Sequence, residues 1–308
     1  MARLPVKFFL RLAIGLILII LLFLFVSPSA VIESFKSINP IFVGAAIFVY
    51  AFTFLILTIR WKIIVAHMRG YLTLSEAYQA FAGGVLYSDF TPARIGDLTR
   101  AVLVKNRMDL HTGTVSVIID RFIDIIVLTT LGIGAIIVYS SHFESLLPVV
   151  SLIVLGVVFA GVILLFWQNA RICSWIQKIP YFGIPVFVSK VQAAISEFHA
   201  ERSVFAKGIL LTVLAWMFQA LRVVLIALGL GYALPLPVLF LILPLISALS
   251  IIPFTLSGLG LVEGGMTAVL VGLGMPGPAA FSLAILDRGL TMLFHFAAGG
   301  RAAVKNIV

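Results

Sequence analysis

Apolar stretches of about 20 residues, long enough to cross a bilayer core of roughly 30 Å, recur along this chain. Phe8 to Val26 carries only Arg11, near one end, and Ile41 to Ile59 carries no charge. Val115 to Tyr139, Leu146 to Trp167 and Gly208 to Tyr232 follow, the last with Arg222 deep inside it. Gly264 to Leu286 is again uncharged, and a final apolar stretch runs from Ala279 to Gly300. None shows the period-two alternation of a half-buried strand, so the pattern predicts an all-α polytopic membrane protein. Ser27-Pro28-Ser29-Ala30 after a basic start resembles a signal-peptide end. The length of the run and the apolar segments after it favour a retained first span.

Two segments break the pattern. Between residues 72 and 104 an apolar stretch is interrupted by Asp89, Pro92, Arg94, Gly96 and Asp97, and between 234 and 274 another is interrupted by Pro253, Gly258, Gly260 and Glu263. Proline removes a backbone donor and glycine permits reversal, so both places predict broken or re-entrant hairpins. Such backbone survives at membrane depth only inside protein or along a cavity. Ile119-Asp120-Arg121 follows the first break and Leu286-Asp287-Arg288 the second; Asp97 and Arg121 are 24 positions apart, Glu263 and Arg288 25. An acid at a break followed by an Asp-Arg pair on the next span, occurring twice, predicts an internal duplication. Cations crowd the first break and are missing from the second, which places the breaks on opposite membrane faces if both are re-entrant, as in an inverted repeat.

Composition agrees with this class: 62% of residues are hydrophobic, 11% are charged and mean hydropathy is +1.21, which excludes a soluble globule. The 308 residues supply about six to eight spans and read as one membrane-embedded domain, residues 1–308. The net charge of +9 comes from cations at the ends of apolar stretches, with no basic run interleaved with aromatics, so nucleic acid is not an expected partner. Arg3, Lys7 and Arg11, the cations from Arg60 to Arg107, those from Arg171 to Lys207, and Arg301 with Lys305 fall on one face, leaving Lys36 for the other. The positive-inside rule then puts both termini in the cytoplasm and the protein in the inner or plasma membrane. Within residues 171–207, Val191, Ala194, Ile195 and Phe198 lie opposite Lys190, Glu197 and Glu201, predicting a helix on the inner surface. The single cysteine, Cys173, has no partner for a disulfide.

Ionisable residues in an apolar span cost several kcal/mol unless paired or hydrated, so they mark the candidate site. Asp120 and Asp124 share a helix face, with Arg121 in reach of Asp124. Arg121 and Arg288 suit the phosphate of a lipid headgroup, with Asp120, Asp124 and Asp287 tuning them; a structural ion pair between helices is the competing reading. Arg94 and Arg100 serve either headgroup contact or interfacial anchoring. Arg222 reads as a ligand or as the partner of Asp287 or Glu263. Gly258 and Gly260 would let backbone amides approach an anion, and Asp97 and Glu263 sit at the breaks themselves. Asp120, Asp124 and His295 are candidate proton carriers, although a histidine in such a position is more often a hydrogen-bonded interior residue. No nucleophile with its base, zinc-binding pair, nucleophile elbow or Walker A loop is present, so no catalytic residue, metal or cofactor is expected.

Arg60-Trp61-Lys62, the run from Phe90 to Ala101, Asp120-Arg121-Phe122-Ile123-Asp124, Ile252-Pro253, Gly258 to Glu263 and Asp287-Arg288 together resemble the lysylphosphatidylglycerol synthase transmembrane, or flippase-like, family. Asp97 stands where that family often has Glu. The resemblance implies a module that binds and translocates a lipid, with an anionic phospholipid or polyprenyl-linked headgroup. In full-length synthases a soluble aminoacyl-transferase domain follows, and this sequence stops at Val308, so synthesis of the aminoacylated lipid is not expected. Two alternatives remain open: a lipid-binding scaffold without transport, and an intramembrane lipid-phosphate transferase using Asp97 or Asp120 as base. A second copy of the chain or a lipid-synthesis enzyme is the expected protein partner.

Overall fold

The computed structural model describes residues 6–139 and 202–305. Among them the chain is helical and contains no strand. Five helices are long and apolar enough to span a membrane: α1 (Val6–Phe25), α3 (Pro40–His67), α6 (Leu110–Tyr139), α7 (Arg202–Gly229) and α10 (Gly277–Lys305). Ile17, Ile20, Leu21 and Leu24 of α1 and Leu293 and Phe296 of α10 are exposed, a surface that water would not tolerate and lipid would. The chain is thus an all-α, multi-pass membrane protein. The span predicted at Leu146 to Trp167, Cys173 and most of the surface helix predicted within 171–207 lie outside the described residues.

Two boundaries differ from expectation. Residues 202–207 are the first turns of α7 rather than the end of a surface helix. α3 continues past Ile59 for two further turns, because Arg60 finds carboxylates inside the protein and does not have to end the span. The connection after α1 is a further short helix, α2 (Pro28–Lys36), started by Pro28 in its first turn and held to α10 where the Ser282 hydroxyl donates to the Val31 carbonyl.

Both interrupted segments are pairs of short helices. The first comprises α4 (Leu74–Asp89), a 3₁₀ segment (Pro92–Leu98) and α5 (Thr99–Leu103). The second comprises α8 (Leu236–Ala248), 3₁₀ turns at Leu249–Ile251 and Leu256–Gly258, and α9 (Leu261–Gly272). At 1.5 Å per residue, α4 is about 24 Å long and α8 about 20 Å, too short to cross alone. Thr73 and Glu76 cap α4 reciprocally, and the Thr73 backbone amide, chiefly, holds the Glu76 carboxyl below its ordinary range. Pro92 then opens the 3₁₀ turn. The turn folds back so tightly that a Cβ on Gly96 would lie 2.4 Å from the backbone of Tyr87 and Ser88. The 3₁₀ segment of the first break packs directly on both 3₁₀ turns of the second. The two breaks therefore meet inside the protein.

Each broken pair has its own core. Phe54, Trp61, Phe81, Val104 and Val117 join α3, the first broken pair and α6, whereas Val223, Leu239, Leu270 and Leu283 join α7, the second pair and α10. The units are long helix, broken pair, long helix, used twice. The most extensive helix contact among the described residues joins their first helices, α3 and α7. As position on α3 falls from Arg60 to Tyr50, its partner on α7 rises from Thr212 to Arg222, and Asn39 at the start of α3 bonds to Gly229 at the end of α7. Equivalent helices thus run antiparallel, which is the inverted repeat expected from the sequence.

Gly96→Ala should lower the thermal midpoint of the protein in detergent, with a cost of roughly 1–3 kcal/mol from forcing the break away from α4. Gly44→Ala, where no neighbour lies within 4 Å, should leave it unchanged or raise it slightly.

Candidate functional site

The site is built from charges that apolar helices cannot carry singly. On the first unit, Arg60 of α3 donates through Nε to Asp120 Oδ1 at 2.8 Å and through Nη1 to Asp124 and, at 2.7 Å, to the Thr212 hydroxyl on α7. Arg100 of α5 binds the other Asp120 oxygen at 2.8 Å and Asp97 Oδ1 at 2.8 Å. Arg121 binds Asp97 Oδ2 at 3.2 Å and Asp124 Oδ2 at 3.1 Å, as its spacing predicted. Three arginines and three aspartates thus form one neutral network, with Arg60, Arg100 and Asp120 fully buried. Arg100 also lies over the Phe81 ring at 4.0 Å.

The second unit repeats the scheme. Arg222 of α7 pairs with Asp287 of α10 at 2.8 Å, and Arg288 pairs with Glu263 at 2.8 Å, its Nη2 also donating to the Ser257 carbonyl at 2.9 Å. Asp97–Arg121 and Glu263–Arg288 are equivalent contacts that dock each break onto the span that follows it. Arg60–Asp120 and Arg222–Asp287 are equivalent contacts that tie each unit's first helix to its last. The units diverge where Met266 and Thr291 occupy the positions corresponding to Arg100 and Asp124.

Several sequence readings are refined by this geometry. Arg100 is not an interfacial anchor: it is wholly buried between two carboxylates. Arg222 takes Asp287 rather than Glu263. The Gly260 amide is not free for a ligand, since it donates to Glu263 Oε2 at 2.6 Å; Gly260, at φ 83°, starts α9 against α1. Gly258, at φ 74°, is buried in the break beside Ser250. Asp120 and Asp124 are engaged by guanidiniums, which removes them as free proton carriers. From the sequence Arg60 reads as one of the cytoplasmic cations, because a cation closing an apolar run looks the same whether it snorkels or pairs inside.

Arg94 stands apart. It lies in the first break at φ 55°, and among the described residues no carboxylate comes within ion-pair distance of it; its Nε is buried without a hydrogen-bond partner. In the opposing break Ser257 has φ 47°, and the buried hydroxyls of Thr255 and Ser257 also lack partners. Left-handed backbone at a non-glycine residue costs of order 1–3 kcal/mol and gathers at functional sites. Arg222 Nη1 is likewise unpartnered and lines a narrow cleft with Tyr50, Thr291 and Phe294.

Sequence reasoning passed over two further residues. Asp89, the last residue of α4, accepts from His295 Nδ1 at 2.6 Å, and the Tyr50 hydroxyl meets His295 Nε2 at 2.5 Å. His295 is therefore a hydrogen-bonded interior histidine. The Tyr50 ring lies under Arg222 at 4.7 Å. Asp89 was legible as a charge in an apolar stretch, but nothing in the sequence names a partner 206 residues away.

Comparison with known proteins adds the following. Residues 8–299 match the family described as lysylphosphatidylglycerol synthase TM region. Two relatives from Methanothermobacter thermautotrophicus, each described as a UPF0104 membrane protein, are 23% identical to this chain. One alignment covers 94% of this chain and 93% of the relative, the other 90% and 86%. No solved structure matches.

Removing one member of the buried network should strand its partners. Asp120→Ala, which leaves Arg60 and Arg100 each short of a carboxylate, should destabilise the protein by about 3–5 kcal/mol in reversible detergent unfolding. Glu33→Ala on exposed α2 should leave the midpoint unchanged.

Proposed function

The chain belongs to the lysylphosphatidylglycerol synthase TM region family, and from that premise we propose that it binds a lipid by an anionic headgroup between the two breaks and carries that headgroup across the bilayer. The observation that supports this most is Arg94. Among the described residues, every other arginine around the breaks is neutralised by a carboxylate, whereas Arg94 has none within ion-pair distance and brings a spare donor to the place where the breaks meet. A phosphate supplies the missing charge and the acceptors that Arg94, Thr255 and Ser257 lack. The acyl chains stay in lipid, so only the polar group has to pass.

An inverted repeat gives such a site two surroundings related by a pseudo-two-fold axis in the membrane plane, and rocking one unit against the other would open it first to one leaflet and then to the other. In this reading the protein sits in the cell membrane with both termini in the cytoplasm, as the cation bias requires. The intramembrane-transferase alternative is disfavoured because both oxygens of Asp97 and of Asp120 already accept from guanidiniums, which suits neither carboxylate to act as a base.

The test is leaflet exchange in phosphatidylcholine vesicles that carry the purified protein and fluorescently labelled phosphatidylglycerol or polyprenyl phosphate. Wild type should accelerate exchange. Arg94→Gln, which breaks no ion pair, should weaken binding of the probe by roughly tenfold to a hundredfold, the worth of one charged hydrogen bond. Binding without exchange would make the protein a lipid-binding scaffold, and equal binding by wild type and Arg94→Gln would remove Arg94 from the site. Arg121 and Arg288 are poorer probes, because removing Arg121 takes one of two guanidiniums from Asp97 and removing Arg288 leaves Glu263 without its arginine.

A further inference from the structure

The inverted repeat offers an internal control: what the fold needs, both units supply. Arg60 and Arg222, Asp120 and Asp287, Arg121 and Arg288, and Asp97 and Glu263 are all supplied twice. The Tyr50–His295–Asp89 chain is not. Ten positions before the arginine of its first helix the second unit has Thr212 for Tyr50. Eight positions after the Asp of its last helix the first unit has Leu128 where the second has His295. α8 ends at Ala248 where α4 ends at Asp89. None of Thr212, Leu128 and Ala248 can titrate, and the fold accommodates them without difficulty.

We propose that Tyr50, His295 and Asp89 form a proton-binding site that couples lipid movement to protons, an inference that rests on the translocase reading above. The three groups connect α3, α10 and the end of α4, so they touch both units and the rim of the first break. With one proton on the imidazole, Nδ1–H donates to Asp89 and Nε2 accepts from the Tyr50 hydroxyl. A second proton on Nε2 makes an imidazolium that cancels the Asp89 charge, and the Tyr50 oxygen becomes its acceptor. The only bond made or broken is that N–H. The imidazole is the side-chain type that changes charge near neutral pH.

The surroundings say what that charge change does. Asp89 comes from α4 and Tyr50 from α3; Arg222 on α7, Arg94 in the 3₁₀ segment and Asp287 on α10 act on Tyr50 electrostatically. Arg222 is already balanced by Asp287. From α9, Glu263 is occupied by Arg288 and the Gly260 amide, and Glu33 and Lys36 of α2 are exposed at the other end of its contact with α10. Among the described residues around this site, Arg94 has no carboxylate within ion-pair distance, though its charge also acts on Asp97, and Asp89 is held by His295 alone. Asp89 and Arg94 both act on the Tyr50 hydroxyl, so with the site unprotonated the Asp89 charge offsets part of the Arg94 charge there. When the proton is bound, Asp89 is cancelled by His295 and Arg94 is left to an anionic headgroup. Proton and lipid anion therefore bind together and leave together. A proton taken up on one face is released on the other with the headgroup.

The experiment uses vesicles containing labelled phosphatidylglycerol and a pH difference of about one unit across the membrane, set in either direction. Wild-type exchange should run faster from the acidic leaflet by up to about tenfold, the ratio of proton activities, and reversing the gradient should reverse the preference. His295→Gln and Asp89→Asn should abolish the gradient-driven increment. Tyr50→Phe, which keeps the ring over Arg222, should reduce it, so the assignment stays testable if either of the other variants folds poorly. Wild-type exchange that ignores the gradient would overturn this inference and leave the translocase reading standing. A gradient response that survives all three substitutions would overturn the assignment to these residues. No exchange under any condition would overturn the translocase reading and the proton site with it.

Discussion

An arginine inside an apolar bundle costs several kcal/mol unless an anion meets it, and the rest of this structure follows from where carboxylates do so. Isolated charges in hydrocarbon cost several kcal/mol, and breaking a buried pair leaves an uncompensated ion that costs about 3–5 kcal/mol. Arg60 with Asp120 and Arg222 with Asp287 fix the register of each unit's first helix against its last. Arg121 with Asp97 and Arg288 with Glu263 pin each break to the span after it. A continuous helix could not bring Asp97 or Glu263 to those arginines and also turn the chain back. Pro92, Gly96, Gly258 and Gly260 are the backbone means of delivering a carboxylate at depth.

Duplication sets the scaffold and divergence sets the chemistry. The first unit carries an additional pair, Arg100 and Asp124, that enlarges its network without changing the net charge. The second leaves the hydroxyls of Thr255 and Ser257 without partners in its break. Among the described residues, the cation with no carboxylate within ion-pair distance comes from the first unit, the free hydroxyls from the second, and the imidazole between Asp89 and Tyr50 from the closing helix of the second. The place where the breaks meet is therefore asymmetric in charge although its framework is nearly two-fold. An asymmetric site suits a substrate that has one polar end.

Much of this was legible in the sequence because apolar spans make every charge conspicuous. The long helices, both breaks, the doubled Asp-Arg pair and the Arg121–Asp124 contact could be read from spacing alone, since helical period and Pro/Gly punctuation are local signals. What escaped depended on partners far along the chain. Arg60 closes an apolar run, where a snorkelling cation and a buried one are indistinguishable until Asp120 is seen opposite it. Tyr50 and His295 are 245 residues apart, and only the crossing of α3 with α10 joins them. Residues 202–207 begin α7 although they carry two cations, a composition that fits either an interface or the first turns of a span.

The headgroup is proposed to lie where the two breaks meet. Photocrosslinking tests it most directly: an anionic phospholipid carrying a diazirine beside its phosphate is irradiated with the protein in vesicles, and the modified peptides are mapped by mass spectrometry. Adducts are expected within residues 88–98 and 252–260, suppressed by excess unlabelled anionic lipid and lost with Arg94→Gln. Adducts confined to the exposed faces of α1 and α10, unchanged by Arg94→Gln, would contradict it.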